Sequence, residues 1–347
     1  MCPENPRGRI PCFAIHLAHP IRTSLKSIPM KTIHRIIALT TLAGCLPAMA
    51  ATVAYWRFEE GPNGAQVTHG GAGNGVFYAG ALDSSGNGND LSVFAEGWAG
   101  YQYATDLAGP TVPQNGLTNN FSVVNSGGYP AMSTATGSAM QTWTPSAWTI
   151  ETTFQPETGG YRTLIGRDSI GANTHGADTN LAALYLQIIP GDALAIKYTD
   201  VQGYWHEAIS AGGAITGYGW PNYAAGNWYA VAATSDGSTL SLYLKNIEGG
   251  ATSYTLIAQT DLTASGSTNT ALSAGAGDGG DWDAGNFTVG RGLYAGGHGD
   301  RAYGFIDETR ISDTALSPSQ FLWSPVPEPT SSLLGLSAMF LFLRRRR

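Results

Sequence analysis

Trp148-Thr149-Ile150-Glu151-Thr152-Thr153-Phe154 decides the fold. Trp148, Ile150, Thr152 and Phe154 fall on one face of an extended chain, and polar residues fall on the other. The period of two continues outward from this stretch. Arg162 to Arg167 and Leu181 to Ile189 follow as strands, and Gly191-Asp192 turns the second into Ala193 to Tyr198. Trp228 to Thr234 and Thr239 to Leu244 flank Asp236-Gly237, the strongest hairpin signal in the chain. Val53 to Phe58 opens the body; Phe287 to Val289 and Tyr303 to Ile311 close it. Ser317 to Trp323 reads as a short helix, with Ser317 as N-cap and Pro318 in its first turn. Helical periodicity is otherwise nearly absent. About a dozen short antiparallel strands in residues 51–324 predict one all-β domain, an antiparallel sandwich or jelly roll. Glycine-rich stretches at 61–75, 124–139, 211–219 and 263–285 read as mostly floppy loops.

Charge is segregated along the chain. Of 18 Lys and Arg, eight lie in 51–324; of 25 Asp and Glu, 23 lie there, a formal charge of −15. Nucleic acid and anionic lipid need a cationic face, so neither suits this body as a partner. Calcium and neutral sugars are compatible with it. Cys2, Cys12 and Cys45 all precede residue 51, so the body has no disulfide and no thiol chemistry. A body this long can bury an adequate core without them.

Both ends carry export signals. Residues 30–50 run from Lys31, His34 and Arg35 through an apolar stretch to Ala48-Met49-Ala50, a signal peptide with its cut after Ala50. Residues 1–29 read as an extension from a misassigned start. Leu42-Ala43-Gly44-Cys45 also fits a lipobox, so lipidation at Cys45 stays open beside signal cleavage. At the other end, alternate prolines in Pro325-Val326-Pro327-Glu328-Pro329 deny helix and interior strand. An apolar run to Leu343 and Arg344-Arg345-Arg346-Arg347 follow. As a helix, Thr330 to Leu343 would reach about 21 Å against a bilayer core of about 30 Å, a short transmembrane-like segment. The arginines favour the cytoplasmic side.

Residues 325–347 resemble the PEP-CTERM sorting signal of Gram-negative bacteria. The resemblance rests on Val326, Pro327, Glu328 and Pro329, the Leu333-Leu334-Gly335-Leu336 stretch and Arg344 to Arg347. Its departure is a slightly short apolar run. It implies an exosortase-type sorting enzyme as partner and transient membrane anchoring. It also implies a place at the cell surface, the outer membrane or the extracellular matrix.

The body, 51–324, resembles laminin-G-like, concanavalin A-like jelly rolls. Tyr55-Trp56-Arg57-Phe58-Glu59-Glu60 matches the opening strand, and Asp83-Ser84-Ser85-Gly86-Asn87-Gly88-Asn89-Asp90-Leu91 a family turn. Trp148 to Phe154 matches the central strand and Trp228 to Leu244 the hairpin. Gly304 to Ile311 with Ala315-Leu316-Ser317 matches the closing strand. The departures are Leu91 for Gly, Thr309 for Val, and a long insertion around 95–145. The resemblance implies that the first and last strands are neighbours.

Three chemistries are open to these residues. Asp83 and Asn87 offer closely spaced oxygens for calcium, and the resemblance lets Asp307 add a carboxylate; an Asx turn explains the same spacing. Asp278 to Asp283 is a weaker cation candidate. Tyr218, Trp220 and Tyr223 put three rings within one short loop, a platform for a glycan or exopolysaccharide; Trp98, Tyr101 and Tyr103 form a second cluster. Rings of this kind also serve as core. His206 reads as structural. Glycosidase chemistry needs paired carboxylates on one strand face. Asp307-Glu308 are adjacent and should point to opposite faces. Gln187 stands in a strand similar to one of alginate lyases, without its histidine. The expectation is a non-catalytic, carbohydrate-binding surface or matrix protein. A polysaccharide hydrolase or lyase, or a purely structural matrix component, stays open beside it.

Overall fold

The computed structural model describes residues 51–67, 78–94, 100–125, 131–176, 178–219, 226–275, 277–280 and 283–326. The chain divides into two units, Met1–Met49 and Ala50–Arg347. Every described residue belongs to the second. The signal segment, Cys45 and the C-terminal apolar run with its arginines lie outside the described residues. Of the sorting residues only Val326 is described, and it is exposed. Among the described residues no helix is long and apolar enough to cross a membrane.

The strands, in chain order, begin with β1 (Thr52–Trp56), β2 (Tyr78–Ala81), β3 (Leu91–Phe94), β4 (Tyr101–Ala104), β5 (Ser122–Asn125) and β6 (Ala131–Thr134). Then come β7 (Trp148–Pro156), β8 (Arg162–Asp168), β9 (Leu184–Ile189), β10 (Ala193–Thr199), β11 (Trp205–Ile209) and β12 (Tyr229–Ser235). The last are β13 (Thr239–Asn246), β14 (Thr255–Asp261), β15 (Asn286–Val289), β16 (Gly292–Tyr294), β17 (Gly297–Gly299) and β18 (Gly304–Ser312). One eight-stranded sheet has the order β14-β13-β12-β7-β18-β5-β4, with β1 also on β18; the other runs β11-β10-β9-β8-β15-β6-β3-β2. All pairings between these strands are antiparallel.

The inner faces of the two sheets share one core. Trp148, Ile150 and Phe154 of β7 meet Leu186, Ile188, Leu194 and Ile196 of the other sheet in a single apolar cluster. Trp148 stands edge-on to Tyr198 across the gap, centroids 5.5 Å apart. This is a β-sandwich. The first and last strands are neighbours as expected: β1 pairs with β18 through Ala54–Ile311, Tyr55–Arg310 and Trp56–Thr309.

The other face of β7 is not wet. All nine of its residues are buried. Residues 313–326 fold back over it as a strap, and Leu316, Phe321, Leu322 and Trp323 form a second apolar cluster with Val112, Ala230, Ala232 and Tyr254. The outward polar residues of β7 are the docking points. Thr149 Oγ1 donates to Thr314 O (2.6 Å) and accepts from Leu316 N (2.8 Å). Glu151 accepts from Leu322 N (2.7 Å) and Arg310 Nε (2.7 Å). Trp323 Nε1 donates to Thr153 Oγ1 (3.0 Å), and Lys245 Nζ reaches Trp323 O (2.6 Å). The helix expected over 317–323 is a single 3-10 turn, Pro318–Gln320, with a Ser317–Gln320 capping box. A second turn follows it, closed by Ser324 N to Phe321 O at 2.9 Å, and sets Phe321 to Trp323 into the sheet.

The insertion around 95–145 supplies β4, β5 and β6 to the two sheets. Loop 211–219 is likewise pinned, through Ile215 N to Asp192 O (3.0 Å) and Gly219 N to Pro156 O (2.9 Å). Arg167, fully buried on β8, ties down three further segments. Its guanidinium donates to five carbonyls, those of Met140, Gln141, Trp143, Ser273 and Gly285, at 2.6–3.0 Å. It also lies 4.7 Å over the Phe287 ring.

Candidate functional site

Four loops meet at one end of the sandwich. The β9–β10 turn holds Gly191 and Asp192 at φ +87° and +57°, the left-handed region that Gly and Asp tolerate best. That turn presents the Asp192 carboxylate, which accepts the Tyr218 hydroxyl at 2.6 Å. The β7–β8 loop passes directly behind this pair. A Cβ at Gly159 would come 2.8 Å from Asp192 Oδ1 and 3.2 Å from the Tyr218 hydroxyl, so a larger residue would push this pair aside. Arg162 closes the loop by donating to Thr158 Oγ1 (3.1 Å) and Tyr161 O (2.7 Å). Its guanidinium stacks 5.1 Å over Tyr303 of the fourth loop. Tyr303 O in turn accepts from Glu157 N at 2.9 Å. Tyr161 stands 50% exposed at the rim. Burial, then the Asp192 carboxylate, push the Tyr218 hydroxyl well above its ordinary range, so it stays a donor. The rim thus offers tyrosine planes, a carboxylate acceptor and a fixed guanidinium.

Of the three rings expected to form a sugar platform, Tyr218 is in this rim; Trp220 and Tyr223 lie outside the described residues. In the second aromatic cluster Tyr101 and Tyr103 are buried in the core, and Trp98 lies outside the described residues. His206 is buried on β11 with Nε2 2.9 Å from Asp200 Oδ2, a structural pair. Asp192, Arg162, Tyr161 and Tyr303 come from three separate loops, and nothing local in the sequence links them to Tyr218.

The three residues named for calcium are not gathered at one point. Asp83 Oδ1 accepts from Tyr55 N and Ser85 N, and Oδ2 from Ser85 Oγ and Asn89 N, all at 2.8–3.0 Å. The Ser85 bond makes this an Asx turn. Asn87 Nδ2 donates to Thr52 O (2.7 Å) and Val53 O (3.1 Å), and Asn89 Nδ2 to Val53 O (2.8 Å). The turn therefore caps the outer edge of β1, where none of the described strands lies beside it. Trp56 bridges Asp83 on one side and pairs with Thr309 of β18 on the other. Asp83 and β18 are thus two strand spacings apart, about 10 Å. Among the described residues no group of three or more His, Cys, Asp or Glu could hold a metal ion. In the weaker candidate segment, Asp278 Oδ1 accepts from Gly280 N at 2.8 Å.

Strand alternation does not hold at Asp307-Glu308. A bulge interrupts the β7–β18 ladder between Asp307 and Arg310, and Glu308 has φ +44°. Both carboxyls become fully buried in one neighbourhood, too enclosed to meet a polysaccharide. Glu308 takes Arg57 (2.9 Å) and the Tyr55 hydroxyl. Asp307 Oδ2 accepts from Asn119 Nδ2 (2.7 Å), while Asp307 Oδ1 and Asn119 Oδ1 have no hydrogen-bond partner among the described residues. Burial, then Glu308, raise the Asp307 carboxyl well above its usual range. A carboxyl raised on folding contributes stability that is present at acid pH and lost as pH rises from about 4 through the folded-state value. Asp307→Asn keeps the shape, can still accept from Asn119 Nδ2, and buries no charge. It should match the wild type at pH 4 and exceed it at pH 7.5 in urea midpoint. A variant less stable than the wild type at pH 7.5 would contradict this.

No protein-family model matches the chain, and no curated protein matches it. Solved structures do align with it. Domain 4 of AbnA, a GH43 extracellular arabinanase from Geobacillus stearothermophilus, in complex with arabinotriose, aligns with a TM-score of 0.44 at 15% identity over 78% of this chain and 96% of that one. The botulinum neurotoxin serotype G binding domain aligns at 0.43 and 10%, over 82% of this chain and 51% of that one. The Ruminococcus gnavus IT-sialidase CBM40 bound to α2,3-sialyllactose aligns at 0.37 and 15%, over 54% and 85%. All three likenesses are at 15% identity or below.

Proposed function

We propose that the domain is a non-catalytic glycan-binding module of an exported protein, matured at both ends and sorted by an exosortase. The observation that carries the binding reading is the four-loop rim. Tyr161 lies exposed there, beside Arg162 on Tyr303 and Tyr218 on Asp192. Sugar rings offer C–H faces to flat aromatics and hydroxyls to fixed acceptors and donors, and this rim presents both. The acidic body favours a neutral glycan. The export reading is supported by the Ala48-Met49-Ala50 site and by Val326-Pro327-Glu328-Pro329 with its arginine end.

A glycan array probed with residues 51–326 tests the binding reading. Against whichever neutral glycan binds, Tyr161→Ala and Tyr218→Ala should each weaken affinity about tenfold, corresponding to about 1.4 kcal/mol. Tyr161→Ala should do so without moving the melting temperature, since its ring is half exposed. Binding that survives both substitutions would place the ligand elsewhere and sink the assignment of the rim.

A further inference from the structure

The start of β1 is held from three directions. Its carbonyls at Thr52 and Val53 accept the side-chain amides of Asn87 and Asn89 on the outer edge. Its inner edge pairs with β18 through Thr52–Ser312. Just before the strand, Ala51 N donates to Asp313 Oδ1 at 3.0 Å, and Asp313 N returns a bond to Ala51 O at 3.1 Å. Thr314 Oγ1 donates to the same Asp313 oxygen at 3.0 Å, and Thr314 O is the first point at which the strap docks on Thr149. Asp313 therefore stands where β18 ends and the strap begins.

Ala51 is also the residue that a cut after Ala50 would make the amino terminus. In the uncut chain its nitrogen is a neutral amide with one hydrogen. After the cut the same nitrogen is an ammonium with three. The nitrogen already lies 3.0 Å from the Asp313 carboxylate, and the return bond from Asp313 N holds the Ala51 carbonyl in place. We propose that Asp313 is the receptor for the processed amino terminus, and that maturation turns a neutral hydrogen bond into an ion pair that fastens the root of the strap. The proposal rests on the export reading above. It assigns to Asp313 a role that the uncut chain cannot use.

The test compares three forms of the body ending at Val326: one starting at Ala51, the same with Asp313→Asn, and one with a single glycine before Ala51. An α-ammonium facing a carboxylate holds its proton more tightly. The Ala51 amine should titrate about half a unit above the ordinary 7.7–8.0, a threefold change in acid constant. In Asp313→Asn it should return to the ordinary range. The stability it contributes is present below about pH 8 and is lost as pH rises through the folded value. Hydrogen exchange at the Leu316 amide should be slower in the Ala51 form than in the glycine-extended form. An Ala51 amine with the same value in wild type and Asp313→Asn, or equal exchange in the Ala51 and extended forms, overturns the proposal. If Asp313→Asn fails to fold, the wild-type titration and the extended form decide alone. Intact mass of the native protein tests the cut separately: a chain starting elsewhere defeats the export reading, while the titration still reports on Asp313.

Discussion

Arg167→Met is expected to destabilise the domain by more than about 3 kcal/mol, the range for breaking a buried charged network. Burial pushes the Arg167 pKa down to about 9, so the guanidinium is still charged at pH 7. Among the described residues no carboxylate pairs with it, and five carbonyl oxygens surround it instead. Methionine fills much of the volume but leaves those carbonyls without their donor. Arg167→Lys keeps the charge and offers three donors rather than five in a fork, so it should fall between wild type and Met. Urea denaturation gives the order directly. A Met variant within about 1 kcal/mol of wild type would show that the three segments hold without their common donor.

Ending the chain at Asp313 should abolish cooperative folding, whereas ending it at Val326 should leave it intact. The shorter form loses Leu316, Phe321, Leu322 and Trp323, all buried on the outer face of β7. Each such side chain contributes roughly 1.5–3 kcal/mol, and four of them rival the whole stability of an ordinary domain. Glu151 and Lys245 would also lose the strap groups Leu322 N and Trp323 O. Near-ultraviolet circular dichroism and dye binding report the outcome. A sharp melt from the form ending at Asp313 would mean that the strap is an accessory.

How much was legible follows the range of each signal. Trp148 to Phe154 and the turns at Gly191-Asp192 and Asp236-Gly237 are local patterns, and the structure has strands and turns there. The four-residue strands between Tyr78 and Thr134 are too short for a period of two to stand out. Alternation along β7 separates its faces but cannot say that residues 313–326 return to cover the polar one. The bulge at Asp307 depends on β7 and is invisible in β18 alone. Tyr218 stood out by composition; Asp192, Arg162 and Tyr303 reach it only through the packing of the loops.

The strap also sets how the domain meets a pull. Tension applied at Val326 falls first on Trp323, then on Leu322, then on Leu316, because each is fastened to β7 or its neighbours by its own bonds. Contacts loaded one after another peel rather than shear, and peeling gives way at low force. Forced unfolding is governed by the opening rate rather than by equilibrium stability. A domain suspended by its C-terminal tail would therefore lose its outer cover first, and the bare face of β7 left behind would commit the two sheets to part.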